Sequence, residues 1–167
     1  MDNKDLNYEE VIKKIEEMKK GRSFDLSTDE DLSIALMNLI SIEEHLFFTA
    51  EKLKKPEYFD LLSEVRAVRT RLMKKMIPQT EGESWCISKH LLATSMRLIE
   101  VGNKLQSSGN KVDAKEAYES AYEMYSIFFA LRFKIMEVCD VKDMAKKGDN
   151  PWTLKDIVDK LVNCCDE

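Results

Sequence analysis

The sequence predicts an all-α protein: an antiparallel up-down helical bundle of four core helices, with two flanking terminal helices. Two observations carry that expectation. Apolar residues recur three and four positions apart over long stretches, which is the period of a helix and not of a strand. Only 5 Gly and 3 Pro occur in 167 residues, too few for the many turns of a β architecture. The length suits a single domain, 1–167, with the core bundle over about 29–140 and the flanking helices over about 8–20 and 153–165.

Each element has its own signals. The first stretch, Tyr8 to Lys20, carries a narrow stripe of Tyr8, Val11, Ile15 and Met18 and stops at Gly21. Ser27-Thr-Asp-Glu30 reads as a capping box, with acidic side chains at the positive end of a helix that runs to about Lys54. Lys55-Pro56 breaks it, and Glu57 to Ile77 forms the next helix, ended by Pro78. A polar linker, Gln79 to Gly82, leads into a helix over Glu83 to Gln106. Ser107-Ser-Gly-Asn110 is a turn, and Val112 to about Val138 is a strongly amphipathic helix. Asp149-Asn-Pro151 opens the last piece, with Thr153 as its cap. Short connections make consecutive helices antiparallel neighbours. The two narrow-striped terminal helices are expected across the outside, where a terminal helix, or in its place another subunit, covers Ile34, Met37 and Phe48 on the back of the 27–54 helix.

Composition sets the function classes aside one by one. With 44% hydrophobic and 34% charged residues the chain is globular and not disordered. The net charge is −5 and no basic stripe stands out, so nucleic acid is not an expected partner. No apolar run approaches the roughly 20 residues of a membrane span, and MDNKDLNYEE has no signal-type apolar region. The expected location is the cytoplasm, with the 4 cysteines as thiols. Cys86, Cys139, Cys164 and Cys165 form no CxxC pair, so no metal and no cofactor is expected.

Leu98, Gly102, Leu105, Gly109, Ala114, Tyr118 and Ala121 fall at spacings that resemble one tetratricopeptide-type repeat. That resemblance implies a close helical hairpin and protein binding. Ser126 stands where the motif carries Pro, and no second copy is visible, whereas a solenoid needs about three. EGESWCISKHLL and MRLIEVGNK are similar to stretches of small helical microbial proteins of unknown function, which implies no activity.

Three charged residues sit where the apolar pattern asks for Leu or Ile: Glu43, Arg69 and Arg132. A buried charge is costly unless it is paired. Glu43 is twelve residues before the turn at Lys55 and Arg69 fourteen after it, so the two should meet at one level as an ion pair. Counting back through the Ser107–Asn110 turn places Arg132 opposite Cys86 and His90, which share a helix face. The candidate ligand site is therefore Glu43, Arg69, Cys86, His90 and Arg132, and a small anion would balance its excess positive charge. Against that stands the structural reading, in which a buried Arg–Glu pair only fixes register.

Enzyme chemistries find little support. A di-iron bundle needs two Glu-x-x-His pairs, and His45 and His90 both lack the Glu. Cys86 with His90 lacks an identifiable oxyanion donor and orienting group. Glu116, Glu119 and Glu123 form an acidic ridge, read as solvated decoration or as a dock for a basic partner. Tyr122 and Phe133 lie at the edge of an aromatic face and are candidates for an interface. The expected function is thus a non-enzymatic binding or adaptor protein that takes a protein partner or self-associates. The alternative is a small-anion or metabolite-binding bundle, catalytic or not.

Overall fold

The computed structural model describes residues 26–77 and 82–134. The expected terminal helices at 8–20 and 153–165 lie outside them. Four helices and no strand are found among the described residues: α1 (Leu26–Leu53), α2 (Glu57–Met76), α3 (Gly82–Ser107) and α4 (Lys111–Arg132). The protein is all-α.

Local chemistry sets each boundary. Lys54 takes a left-handed φ of 55° after α1, and the Lys55 amide reaches back to the Ala50 carbonyl at 3.1 Å, which closes the helix end. Pro56 then stands at the N-cap of α2 with φ −65°. Ile77 is extended, as a residue before proline must be, and its amide still bonds to Met73 at 2.9 Å. Gly109 ends α3 at φ 84°, with the Asn110 amide on the Leu105 carbonyl at 3.0 Å. Asn110 at once caps α4 by accepting from the Asp113 amide. One boundary differs from expectation: α4 gives way at Phe133–Lys134, where Lys134 adopts φ 55°.

α1 and α2 form one antiparallel hairpin, and α3 and α4 a second, closer one. The hairpins meet mainly where α1 lies along α3; α2 makes no comparable approach to α3 or α4. The shared core occupies one end, where Leu36, Met37, Met73, Met76, Ile77, Leu91 and Leu92 enclose Phe128 and Phe129. Every α4 residue from Ser126 to Leu131 is buried there, so that turn of helix has no solvent face. At the other end of the first hairpin Phe47, Phe48, Leu53, Phe59 and Leu61 are exposed, Phe48 to 60%.

The face that α2 buries is rotated from the apolar stripe its sequence pattern predicts, Tyr58, Leu61, Val65, Val68, Leu72 and Met76. Leu62, Arg69, Met73 and Met76 are buried, while Leu61 is exposed and Val65, Val68 and Leu72 are only half-covered. α2 leans on α1 alone for most of its length, which leaves its second apolar edge open. The expectation for the back of α1 divides in the same way. Met37 is buried and Ile34 half-exposed, both facing the second hairpin, whereas Phe48 stays uncovered. By length and composition Thr28–Leu53 is also apolar enough to cross a membrane, contrary to the expectation that no such run exists.

Candidate functional site

The five residues singled out by sequence go to three places. Glu43 and Arg69 meet as expected. Arg69 Nε donates to Glu43 Oε1 and its Nη2 donates to Oε2 at 3.3 Å, a two-point fork. Both side chains are nearly buried, at 8% and 12% exposure. Arg66, missed in the sequence, adds a third bond to the same carboxylate through Nε at 3.1 Å. Arg66 lies one helical turn before Arg69, and that i, i+3 spacing was the available signal.

Arg132 does not join them. Its Nη2 lies 3.2 Å from Oδ2 of Asp29, and its guanidinium stands 5.8 Å from the Phe133 ring. Asp29 is fourteen residues before Glu43 on α1, which separates the two ion pairs by about 21 Å at the helical rise. The single five-residue cluster is thus corrected to two separate pairs. Asp29 therefore has a second use beside the helix dipole: it ties the N-terminal part of α1 to the end of α4. Cys86 and His90 are both exposed on α3. His45 is exposed as well.

A further pair, Arg97 to Glu44, ties α3 to α1 on the exposed side. Ser88, Ser95 and Gly102 form the buried seam of α3, as their seven-residue spacing suggests. Gly102 is required there. A Cβ on it would stand 2.5 Å from the Tyr118 ring, whose hydroxyl donates to Asn103 Oδ1 at 2.9 Å. The Glu116, Glu119 and Glu123 ridge is exposed, with Glu119 3.6 Å from Lys115. Phe133, an expected interface residue, is instead buried and stacked on Phe129.

Sequence reasoning missed a cleft of about 220 Å³ between α1 and the second hairpin. Ile34 and Met37 line one wall, Ser95 and Ile99 another, and Tyr118, Ala121, Tyr122 and Tyr125 the third, with Glu30 as the charged lining residue. Its polar atoms are largely spoken for. Ser95 donates to the Leu91 carbonyl, and Ser33 donates to the Glu30 carbonyl at 2.6 Å. Ser33 has one proton, so Tyr125, 2.5 Å away, is the donor in their hydroxyl pair. Carbon surface and aromatic rings are what the cleft offers. The signal is the run Tyr118, Tyr122, Tyr125 at helical spacing, of which Tyr122 alone is an expected interface residue.

No family model, no curated protein and no solved structure matches the chain.

Proposed function

We propose that the protein is a non-enzymatic, cytoplasmic binding module that takes a partner in the cleft between its two hairpins. The cleft is the observation that carries this reading. Its volume of about 220 Å³ exceeds the roughly 150 Å³ that admits a benzene-sized guest. It falls short of the roughly 300–1,000 Å³ of drug-sized ligand pockets. A site of that size suits one side chain or head group. The exposed Ile34 and Ile99 extend the apolar surface beyond the mouth, which favours a larger partner inserting one group. The close α3–α4 hairpin supports the same reading through its likeness to a single tetratricopeptide-type repeat.

The apolar length of α1 does not argue for a membrane location. Asp29, Glu43 and Glu44 all lie on it and are spent on arginines of α4, α2 and α3, which is the wiring of a packing helix.

A fragment screen followed by amide chemical shifts tests the reading. Shifts should gather at Ile34, Ile99 and Ala121, and Ala121→Phe, which fills the cleft, should abolish them. Shifts gathered elsewhere, or unchanged by Ala121→Phe, overturn it. A second reading, an anion site, keeps one observation: Glu43 faces two arginines, leaving one formal positive charge. Phosphate should then raise the melting temperature of wild type and not of Arg66→Ala.

A further inference from the structure

We infer that the face of the α1–α2 hairpin turned away from the second hairpin binds a second copy of this chain, with α2 antiparallel to the partner's α2. The cleft lies between α1 and the second hairpin, on the other side, so the inference does not depend on it.

Helix geometry places the face. Glu43 and Arg69 point at each other across the hairpin. In an antiparallel pair of right-handed helices, residues just before two facing positions fall on one side and residues just after on the other. Glu44 pairs with Arg97, so the side after is the α3 side. Ile42 and Val68 lie on the opposite side. At about 100° per residue Leu53 joins Ile42 there, and Leu61, Val65 and Leu72 join Val68. Ile42, Leu53 and Leu61 are exposed and the other three half-covered. Leu61, Val65, Val68 and Leu72 are four, three and four residues apart, the spacing of a coiled-coil seam.

Charge selects the occupant. α2 carries Glu57, Asp60 and Glu64 in its first half and Arg71, Lys74 and Lys75 in its second, all exposed. None of the six has an ionic partner among the described residues. The helix dipole accounts for Glu57 and Asp60 in the first turn and for Lys74 and Lys75 in the last, and it fades beyond them. Glu64 and Arg71 are left over. Each stands four residues from a like charge, Asp60 and Lys75 respectively, which a lone helix disfavours. Both border the seam on the side away from α1, where flanking charges set partner and orientation.

A copy of α2 running the other way answers both charges. A two-fold axis between Val65 and Val68 sets Leu61 against the partner's Leu72 and Val65 against the partner's Val68. It brings Glu64 within about 3 Å, two residues' rise, of the level of the partner's Arg71. Symmetry makes that pair twice. The same axis lays α1 beside the partner's α1, so the two hairpins close a four-helix bundle. A face two helices wide and as long as the 20-residue α2 spans about 600 Å², the lower end of the roughly 600–1,000 Å² per partner of stable interfaces.

The test is sedimentation velocity on the full chain from about 1 to 300 µM, with helicity by circular dichroism as the folding control. Wild type should be a reversible dimer. Glu64→Arg and Arg71→Glu should each weaken it about tenfold or more, because each sets like charges opposite one another twice. The double variant Glu64→Arg, Arg71→Glu should return to within about threefold of wild type, and so should an equimolar mixture of the two single variants, as a heterodimer. A chain monomeric throughout overturns the inference and leaves the face to a terminal stretch of the chain or to another protein. A dimer that neither reversal weakens, or that does not recover in the double variant and the mixture, overturns the antiparallel α2 seam. The fragment screen reads the cleft separately in every case.

Discussion

Replacing Glu43 by Ala should cost about 3 kcal/mol, the lower part of the range of about 3–5 kcal/mol for breaking a buried ion pair. The lower part is right because the two arginines left behind differ. Arg69 keeps only 8% exposure and has no route to water, so its charge is stranded between α1 and α2. Arg66 is 59% exposed and turns outward at little cost. Arg69→Ala should cost a similar amount, since it strands the carboxylate and also removes packed stem. Arg66→Ala should cost less than about 1 kcal/mol, as exposed pairs do. The double variant Glu43→Leu, Arg69→Met replaces both charges by apolar groups of similar size, and should return to within about 1 kcal/mol of wild type. Urea unfolding followed by circular dichroism reads all four. Thermal melts should move by about 6–12 °C for the two costly variants, at roughly 2–4 °C per kcal/mol for a chain of this length. If Glu43→Ala costs no more than Arg66→Ala, the pair is solvated and the burial assigned to it is wrong.

Gly102→Ala should destabilise by about 1–2 kcal/mol, because the added methyl meets the Tyr118 ring at 2.5 Å and outweighs the gain in helix propensity. In a Tyr118→Ala background the same change should become stabilising by about 0.5–1 kcal/mol, and a denaturant series on both backgrounds reads that reversal of sign. Lys54→Gly should raise stability by about 0.5–1 kcal/mol, since φ is 55° there and the exposed lysine is worth little to Glu51; an unchanged urea midpoint would contradict it. Ser126→Pro should cost about 3 kcal/mol or more and loosen the Asp29–Arg132 contact, because α4 runs unbroken through Ser126 to Arg132. Hydrogen exchange should rise first in the last two turns of α4.

The helices were legible because their punctuation is local. Pro56, Pro78 and Gly109 stop the chain by sterics that need no tertiary context, and the four described helices lie close to where those residues put them. The Glu43–Arg69 pair was legible for a related reason: a tight turn converts sequence separation directly into axial level. What failed was whatever depended on azimuth or on a third helix. The apolar edge at Leu61, Val65 and Val68 was expected inside, yet α2 buries the neighbouring face because Arg69 has to point at Glu43. Arg132 was assigned to α3 because counting through the Gly109 turn gives a level but not a partner. Its partner came from the start of α1, which reaches the same end of the molecule by a different path. The cleft was invisible for a third reason. Tyrosines at helical spacing look the same in sequence whether their neighbours close over them or stop short.

The two ion pairs and the cleft belong to one arrangement. α1 is charged at two levels about 21 Å apart, and each level addresses a different hairpin: Asp29 to α4, Glu43 to α2. A purely apolar α1 could slide or rotate against either neighbour at small cost, because dispersion and burial are not directional. Two directional contacts at different levels remove that freedom. Rotating α1 to satisfy one pair better would break the other. The azimuth so fixed is the one that turns Ile34 and Met37 toward Tyr118 and Tyr125, with Ser33 bonded to Tyr125 between the two levels. On this account the buried charges have a use beyond their doubtful worth in stability: they hold open a cleft that free packing of the same apolar residues would close. The Glu43→Leu, Arg69→Met variant separates those roles, since it should fold as stably as wild type while the amide shifts of Ile34 and Ile99 broaden or move. Sharp, unmoved signals there would mean that Asp29 and the packing of α3 position α1 without help from Glu43.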